Sequence, residues 1–378
     1  DHRDLHSFPT RRSSDLTVYP GRELDSNYSM NTVDLCPVGA LTSKDFRFKM
    51  RVWFLKETKT IDVDCGTGTN ITLWTREDKV YRITPRQNDA VNSCWMPDSH
   101  RLNYKYINAE TRIPQPVIRT DAEAPHRPST WEPALASAAE AVKRIAPNQL
   151  AIIASGRMTN EELYMVRHLA AQIGTDMVDI VPRMGESDGM LISADRNPNT
   201  NGARLVLDIE PGSRLDAIRE GVRSGSVKGI LSLGEDLISP EAGFTAEDLD
   251  KLDYLFMTAH SANETARHAD LVLPGVTYAE KFGTMINVTG RIQRLNRAIQ
   301  PIGYARDDWQ IFRDITLLLG GNPALKDFNS ALDILTAMST EYGALNGVSW
   351  GSIGDGGQPI LETGVTIPVV EREKNQGR

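Results

Sequence analysis

Cysteine is scarce in this sequence: three among 378 residues, with no Cys-x-x-Cys pair. That excludes a disulfide scaffold, suits a reducing compartment and offers no closely spaced thiol set for zinc. Long apolar runs are also missing. "LAIIA" and "ITLLLG" fall far short of the roughly 18 residues a membrane span needs. There is no basic excess, since the formal net charge is -8, and a general nucleic-acid binder would carry a basic stripe. No Gly-x-Ser-x-Gly elbow, dinucleotide fingerprint or phosphate-binding loop with its lysine occurs. These absences lead us to expect a cytoplasmic chain without membrane insertion or nucleic-acid partner.

The remainder is ordinary globular material, 40% hydrophobic and 24% charged, long enough for two or three domains. Residues 1–16 include "HSFPTRRSSDL", which lacks the apolar core of a secretory signal and reads as a translated sequencing adapter. We expect it to be a disordered artefact and the chain to be N-terminally truncated. Residues 49–111 contain "MRVWFL", "NITLWT" and "KVYRITP", which predict short strands. The Pro-rich stretch 112–129 predicts a linker.

From residue 130 the rhythm changes. "WEPALASAAEAVKRIA" predicts a helix, and "TNEELYMVRHLAAQIG" another, opened by a Thr159–Glu162 capping box and closed at Gly174. "LAIIA", "DMVDIVP", "ARLVLDI", "KGILSLG", "DYLFMTA" and "DLVLP" are short apolar runs, with the helix "SRLDAIREGVRSG" among them. Such alternation predicts an α/β fold: a parallel sheet covered by helices on both faces. Residues 307–342 look helical, and "VTIPVVE" in the tail a strand.

Candidate chemistry is thin. Gly234, Gly283 and Gly290, with Arg291 and Arg294, could admit a phosphate, but Glu235 and Asp236 would repel one. His260 and His268 flank Glu264 at spacings that suit the surface of a helix beside the sheet. Asp307 and Asp308 precede a helix and are expected to cap it. Cys36, Cys65 and Cys94 lie far apart, and composition alone makes them structural thiols. Yet Cys36 sits in Cys-Pro, a pairing that often closes a set of iron–sulfur ligands.

Here the sequence becomes familiar. "NTVDLCPVGALTSKDFRFKMRVWFLKET" resembles the large iron–sulfur subunit family of bacterial NADH-quinone oxidoreductase, respiratory complex I. The resemblance implies that residues 17–48 end a ferredoxin-like region and that Cys36 is one ligand of its [4Fe–4S] cluster. "TIDVDCGTGTNITLWTREDKVYRITPRQNDAVNSCWMPD" resembles the small domain that opens molybdopterin oxidoreductases, where four cysteines often hold a further [4Fe–4S] cluster. Laid on this chain, those ligand positions read Asp62, Cys65, Thr69 and Pro97, with Cys94 out of register, so the cluster is expected to be lost. "ADLVLPGVTYAEKFGTMINVTGRIQRLNRAIQPIGYARDDW" resembles the body of the same enzymes, implying a degenerate molybdopterin-type α/β domain over 130–320. Residues 321–378 are left as a helical and irregular tail.

The implied function is an electron-transfer and scaffold subunit of a proton-translocating NADH:quinone oxidoreductase with no autonomous active site. Its partners would be other subunits of the complex I peripheral arm, and it would sit at the inner membrane through them. The alternatives are an active molybdopterin oxidoreductase such as a formate dehydrogenase, or an assembly subunit with no redox role. Loss of the second ligand set argues against the enzyme, and molybdopterin is not expected.

Overall fold

The computed structural model describes residues 21, 23–119 and 124–376. The adapter-like stretch 1–16 lies outside the described residues. The first strands form an antiparallel sheet in the order β1 (Lys56–Ile61), β2 (Asn70–Arg76), β3 (Lys79–Pro85). "NITLWT" and "KVYRITP" pair as expected, but "MRVWFL" does not. Val52–Phe54 is a single 3-10 turn with Trp53 74% exposed, and the strand begins only at Lys56. Aromatic composition favours a strand only where a neighbour supplies hydrogen bonds and cover.

Among the described residues the main sheet has seven strands, with β5 (Arg127–Pro128) and β4 (Val117–Ile118) at one edge, in the order β5-β4-β10-β9-β8-β6-β7. Its parallel part consists of β6 (Leu150–Ala154), β7 (Val178–Ile180), β8 (Gly229–Leu233), β9 (Tyr254–Ala259) and β10 (Leu271–Pro274). Alternate side chains of these strands enter two separate cores. Ile152, Leu231, Phe256 and Leu273 pack on one face with the helices Trp131–Arg144, Asn160–Ile173 and Asp308–Leu318. Ile153, Ile230, Met257 and Val272 pack on the other with the helix Leu215–Ser224. Both faces are buried, which is why the strands read as unbroken apolar runs.

Three expectations change in this region. "ARLVLDI" is the end of a helix, Thr200–Leu207, whose buried Thr200, Ala203 and Val206 recur every third residue. A short apolar run fits either element, and tertiary packing chose. "VTIPVVE" is likewise helical: Pro368 opens the helix Pro368–Gln376, where its missing N–H costs nothing. The Pro-rich stretch 112–129 supplies two short antiparallel strands, β4 (Val117–Ile118) and β5 (Arg127–Pro128), at the edge of the main sheet. The last sheet, β11 (Gly283–Ile286), β12 (Arg291–Leu295) and β13 (Gln358–Pro359), is antiparallel and lies between the small domain and the body. A Cβ on Gly290, at φ +78°, would sit 2.2 Å from the Leu361 carbonyl oxygen, so that turn requires glycine.

Candidate functional site

Cys36 follows a short helix, Asn31–Leu35, and the loop behind it curls back over the sulfur. The Leu41 amide donates to Sγ at 3.5 Å. Together with the amides of Val38, Ala40 and Gly39 it holds the Cys36 thiol below its ordinary pKa, outweighing the opposing effect of burial. Amides converging on a sulfur stabilise its thiolate, the form that binds metal. The sulfur borders an open cleft of about 520 Å³ shared with Met30, Leu41, Phe46, Arg82 and Arg101.

This loop is anchored to the small domain by polar contacts rather than by a core of its own. Asn31 exchanges hydrogen bonds with the Met96 backbone at 2.8 and 3.1 Å, and Arg101 binds Asp34 at 2.6 Å. Ser29 and the Met30 amide donate to Asp98, and Tyr104 donates to Asp45 at 2.5 Å. Exposed Leu35, Val38 and Phe48 complete a surface that buries little apolar area by itself.

The second ligand set is dismantled. Asp62 is buried and bound to His100 Nδ1 at 2.6 Å, with Asp64 beside them. Cys65 is fully buried, and burial, helped by the Asp62 charge, pushes its thiol up to about 11. Thr69 is buried, Pro97 precedes the helix Asp98–Leu102, and Cys94 is exposed. The loop 62–69 is closed from the other side, where Gln293 donates to the Gly68 carbonyl and Asn287 to that of Thr67. A cubane needs four thiolates. One thiol held in its neutral form and another outside the loop do not fit it.

The carboxyl ends of β6, β8 and β9 are where an open α/β sheet takes its ligands. They enclose a cavity of about 90 Å³ lined by Ser155, Gly234, His260, Tyr278, Lys281 and Asp308. Pockets for drug-sized ligands hold roughly 300–1,000 Å³. A buried polar network runs from its wall. Lys281 binds Glu162 at 2.8 Å, and Glu161 accepts from the Thr284 amide and hydroxyl at 2.8 Å each. These residues do not fit a pterin dinucleotide.

The charged candidates near the glycines are all engaged. Glu235 pairs with Arg183, Asp236 accepts from Thr265 at 2.6 Å, and Arg294 binds Asp355 at 2.5 Å. Arg291 donates to the Gly357 carbonyl.

His260 corrects the helix-surface expectation. It follows the end of β9, stacks near Tyr106, and burial lowers its pKa to about 4. Asp308 is a further correction: it is buried at the helix start, and burial with the Glu162 charge raises it to about 7. Asp307 makes no cap either; it binds Arg297 at 2.7 Å. His268 does lie on a short helix, bound to Asp250. The cluster Asp62–Asp64–His100 and the pair Arg112–Glu280 went unread in the sequence, because each joins residues dozens of positions apart without a spacing signal.

The molybdopterin oxidoreductase family matches residues 182–316. Acetylene hydratase from Pelobacter acetylenicus has a similar structure, with a TM-score of 0.58 and 9% identity over 78% of this chain and 73% of that one. The body is therefore a molybdopterin oxidoreductase-type α/β fold.

Two other families narrow the identification. The NDSU1/NuoG-like 4Fe-4S domain of NADH-ubiquinone oxidoreductase matches residues 55–105, and the ferredoxin-like domain of NADH-quinone oxidoreductase subunit 3 matches residues 1–42. The 78 kDa subunit of mitochondrial NADH-ubiquinone oxidoreductase from Neurospora crassa is 26% identical over 82% of this chain and 58% of its own length. The G subunit of NADH-quinone oxidoreductase from Rickettsia conorii is 25% identical, over 80% of this chain and 61% of its own. Its counterpart from Rickettsia prowazekii is 35% identical, over 79% and 45%. The chain is thus similar to G subunits of NADH-quinone oxidoreductase over about four fifths of its own length, and it spans about three fifths of the length of the first two relatives.

Proposed function

We propose that the chain acts as an electron-transfer and scaffold subunit of a proton-translocating NADH:quinone oxidoreductase. Cys36 would supply one ligand to a [4Fe–4S] cluster. Electrons from NADH would pass through that cluster toward quinone, while the α/β body stiffens the assembly and holds neighbouring subunits of a peripheral arm. Among the described residues no helix is long and apolar enough to cross a membrane, so attachment to the inner membrane would run through those partners.

The observation that carries this reading is the contrast between two cysteine environments. Amides stabilise a thiolate at Cys36, whereas burial and a neighbouring carboxylate suppress one at Cys65. The small size of the cavity at the carboxyl ends of β6, β8 and β9 weighs against an active molybdopterin enzyme.

The test is assembly of the chain into an NADH-oxidising complex, with Cys36→Ser beside the parent. We expect the variant to lose a [4Fe–4S] electron paramagnetic resonance signal, while Cys65→Ser leaves every signal in place. Unchanged spectra for Cys36→Ser would overturn the role of Cys36. Molybdenum or tungsten recovered with pterin near one per chain would overturn the scaffold reading of the body.

A further inference from the structure

We propose that Asp62, Asp64 and His100 form a binding site for one divalent transition-metal ion of the zinc type, separate from any iron–sulfur cluster. One ligand atom from each residue lies within 4.8 Å of the other two. Ligand atoms around a four-coordinate ion with bonds of roughly 2.0–2.2 Å stand roughly 3.3–3.6 Å apart, so the hydrogen-bonded Asp62–His100 pair opens slightly while Asp64 moves in. Two carboxylates and one imidazole are hard-to-borderline donors, which suit zinc, cobalt or manganese and do not suit a cubane.

The site is built from both ends of the small domain. Asp62 and Asp64 follow the end of β1, Asp64 in a bend, and His100 arrives on the helix Asp98–Leu102. Asp62 and His100 are buried, while Asp64 sits at the mouth and accepts from Asn103 at 2.8 Å.

A second observation at the same place points to a ligand. The Thr69 hydroxyl is buried with no hydrogen-bond partner among the described residues. The Asp62 amide donates to the Thr69 carbonyl at 2.8 Å, continuing the β1–β2 register. Residues opposed in this way share a sheet face, which puts Thr69 on the Asp62 side of the sheet, with its hydroxyl not bonded to that carboxylate. Such an orphan is costly and calls for a partner.

Charge balance favours the same occupant. Without an ion, two adjacent carboxylates share one imidazole in a largely desolvated setting, and a divalent cation cancels both charges. Asp64 and His100 also line an open cleft with Ser99, Arg157, Arg196 and Glu241, which leaves a route for the ion and an open coordination position for water. The arginines oppose an isolated cation but suit an anionic or hydroxide fourth ligand. Binding displaces the proton shared between His100 Nδ1 and Asp62, so uptake releases protons.

Cobalt(II) reports both stoichiometry and donor type. The metal-stripped full chain is titrated with cobalt chloride alongside Asp64→Asn, His100→Ala and a Cys36→Ser/Cys94→Ser double variant. The parent should take up one ion per chain with visible d–d bands and no intense near-ultraviolet thiolate band, and the cysteine variant should match it. Asp64→Asn, which is nearly isosteric and removes a like-charge contact, should fold as well as the parent. It should bind more weakly by at least the roughly 10–100-fold that losing an outer-shell partner costs. Lack of stoichiometric uptake by the parent, a thiolate band, or undiminished binding by a folded Asp64→Asn would each overturn the proposal.

Discussion

Arg112 shows how much one side chain can connect. It lies in the stretch that reads as a linker, yet its guanidinium is 2% exposed and bound to Glu280 at 2.6 Å. Its other donors reach the carbonyls of His260 and Ile107 at 2.9 Å each, so it joins the small domain, the end of β9 and the 3-10 turn Tyr278–Glu280. Glu280 in turn accepts from the Thr277 amide and hydroxyl. Removing one partner of a buried pair leaves an uncompensated charge, which costs about 3–5 kcal/mol. Arg112→Met should therefore lower the urea midpoint by that equivalent, and adding Glu280→Gln should recover part of the loss. A midpoint shift below about 1 kcal/mol would show that water reaches the pair. Nothing in the sequence marks Arg112, because its partner stands 168 positions away.

At the scale of elements, legibility follows how local the signal is. The helix Asn160–Ile173 was legible at both ends. Thr159 accepts from the Glu162 amide at 3.2 Å, Glu162 returns the bond at 2.8 Å, and Gly174 ends the helix in the left-handed conformation. Caps are made by neighbours in sequence, so spacing reveals them. Thr159→Ala should cost about 1 kcal/mol in a urea titration while leaving the far-ultraviolet spectrum unchanged. A neutral effect would mean that the Glu162–Lys281 ion pair alone holds the first turn. "ARLVLDI" and "VTIPVVE" misled for the opposite reason. Their apolar residues suit either element, and only the surfaces they meet decide: Val206 joins the main core, while Val369 and Val370 pack with Val91 and Leu191.

At the scale of the molecule, buried acids set the pH response. Burial pushes Glu161 from 4.5 up to about 7, against the lowering effect of the Thr284 donors, and Asp307 likewise to about 6. A carboxyl whose folded pKa exceeds its unfolded value binds its proton more tightly in the fold. It therefore stabilises the fold at low pH relative to high, and that contribution is lost as pH rises from about 4.5 through 7. Glu161→Gln keeps the shape and cannot ionise, so it should gain on the parent across this window, by on the order of 2 kcal/mol at about pH 7.5 relative to about pH 5. Paired urea titrations at the two values check the sign, and an equal difference at both would show that Glu161 is ionised throughout.

The sequence by itself determined the class of the fold, because a sheet buried on both faces needs short unbroken apolar strands and a capped helix announces itself within four residues. It also marked Cys36, whose amide loop is built from the residues that follow it. Tertiary structure alone decided what occupies the remaining ligand positions and the crevice above the sheet. Asp62 meets His100, Glu162 meets Lys281 and Arg112 meets Glu280 only after the chain has folded. Whether a buried charge becomes a ligand, a counter-ion or a protonated acid depends on desolvation and on partners distant in sequence, and neither is written in local spacing.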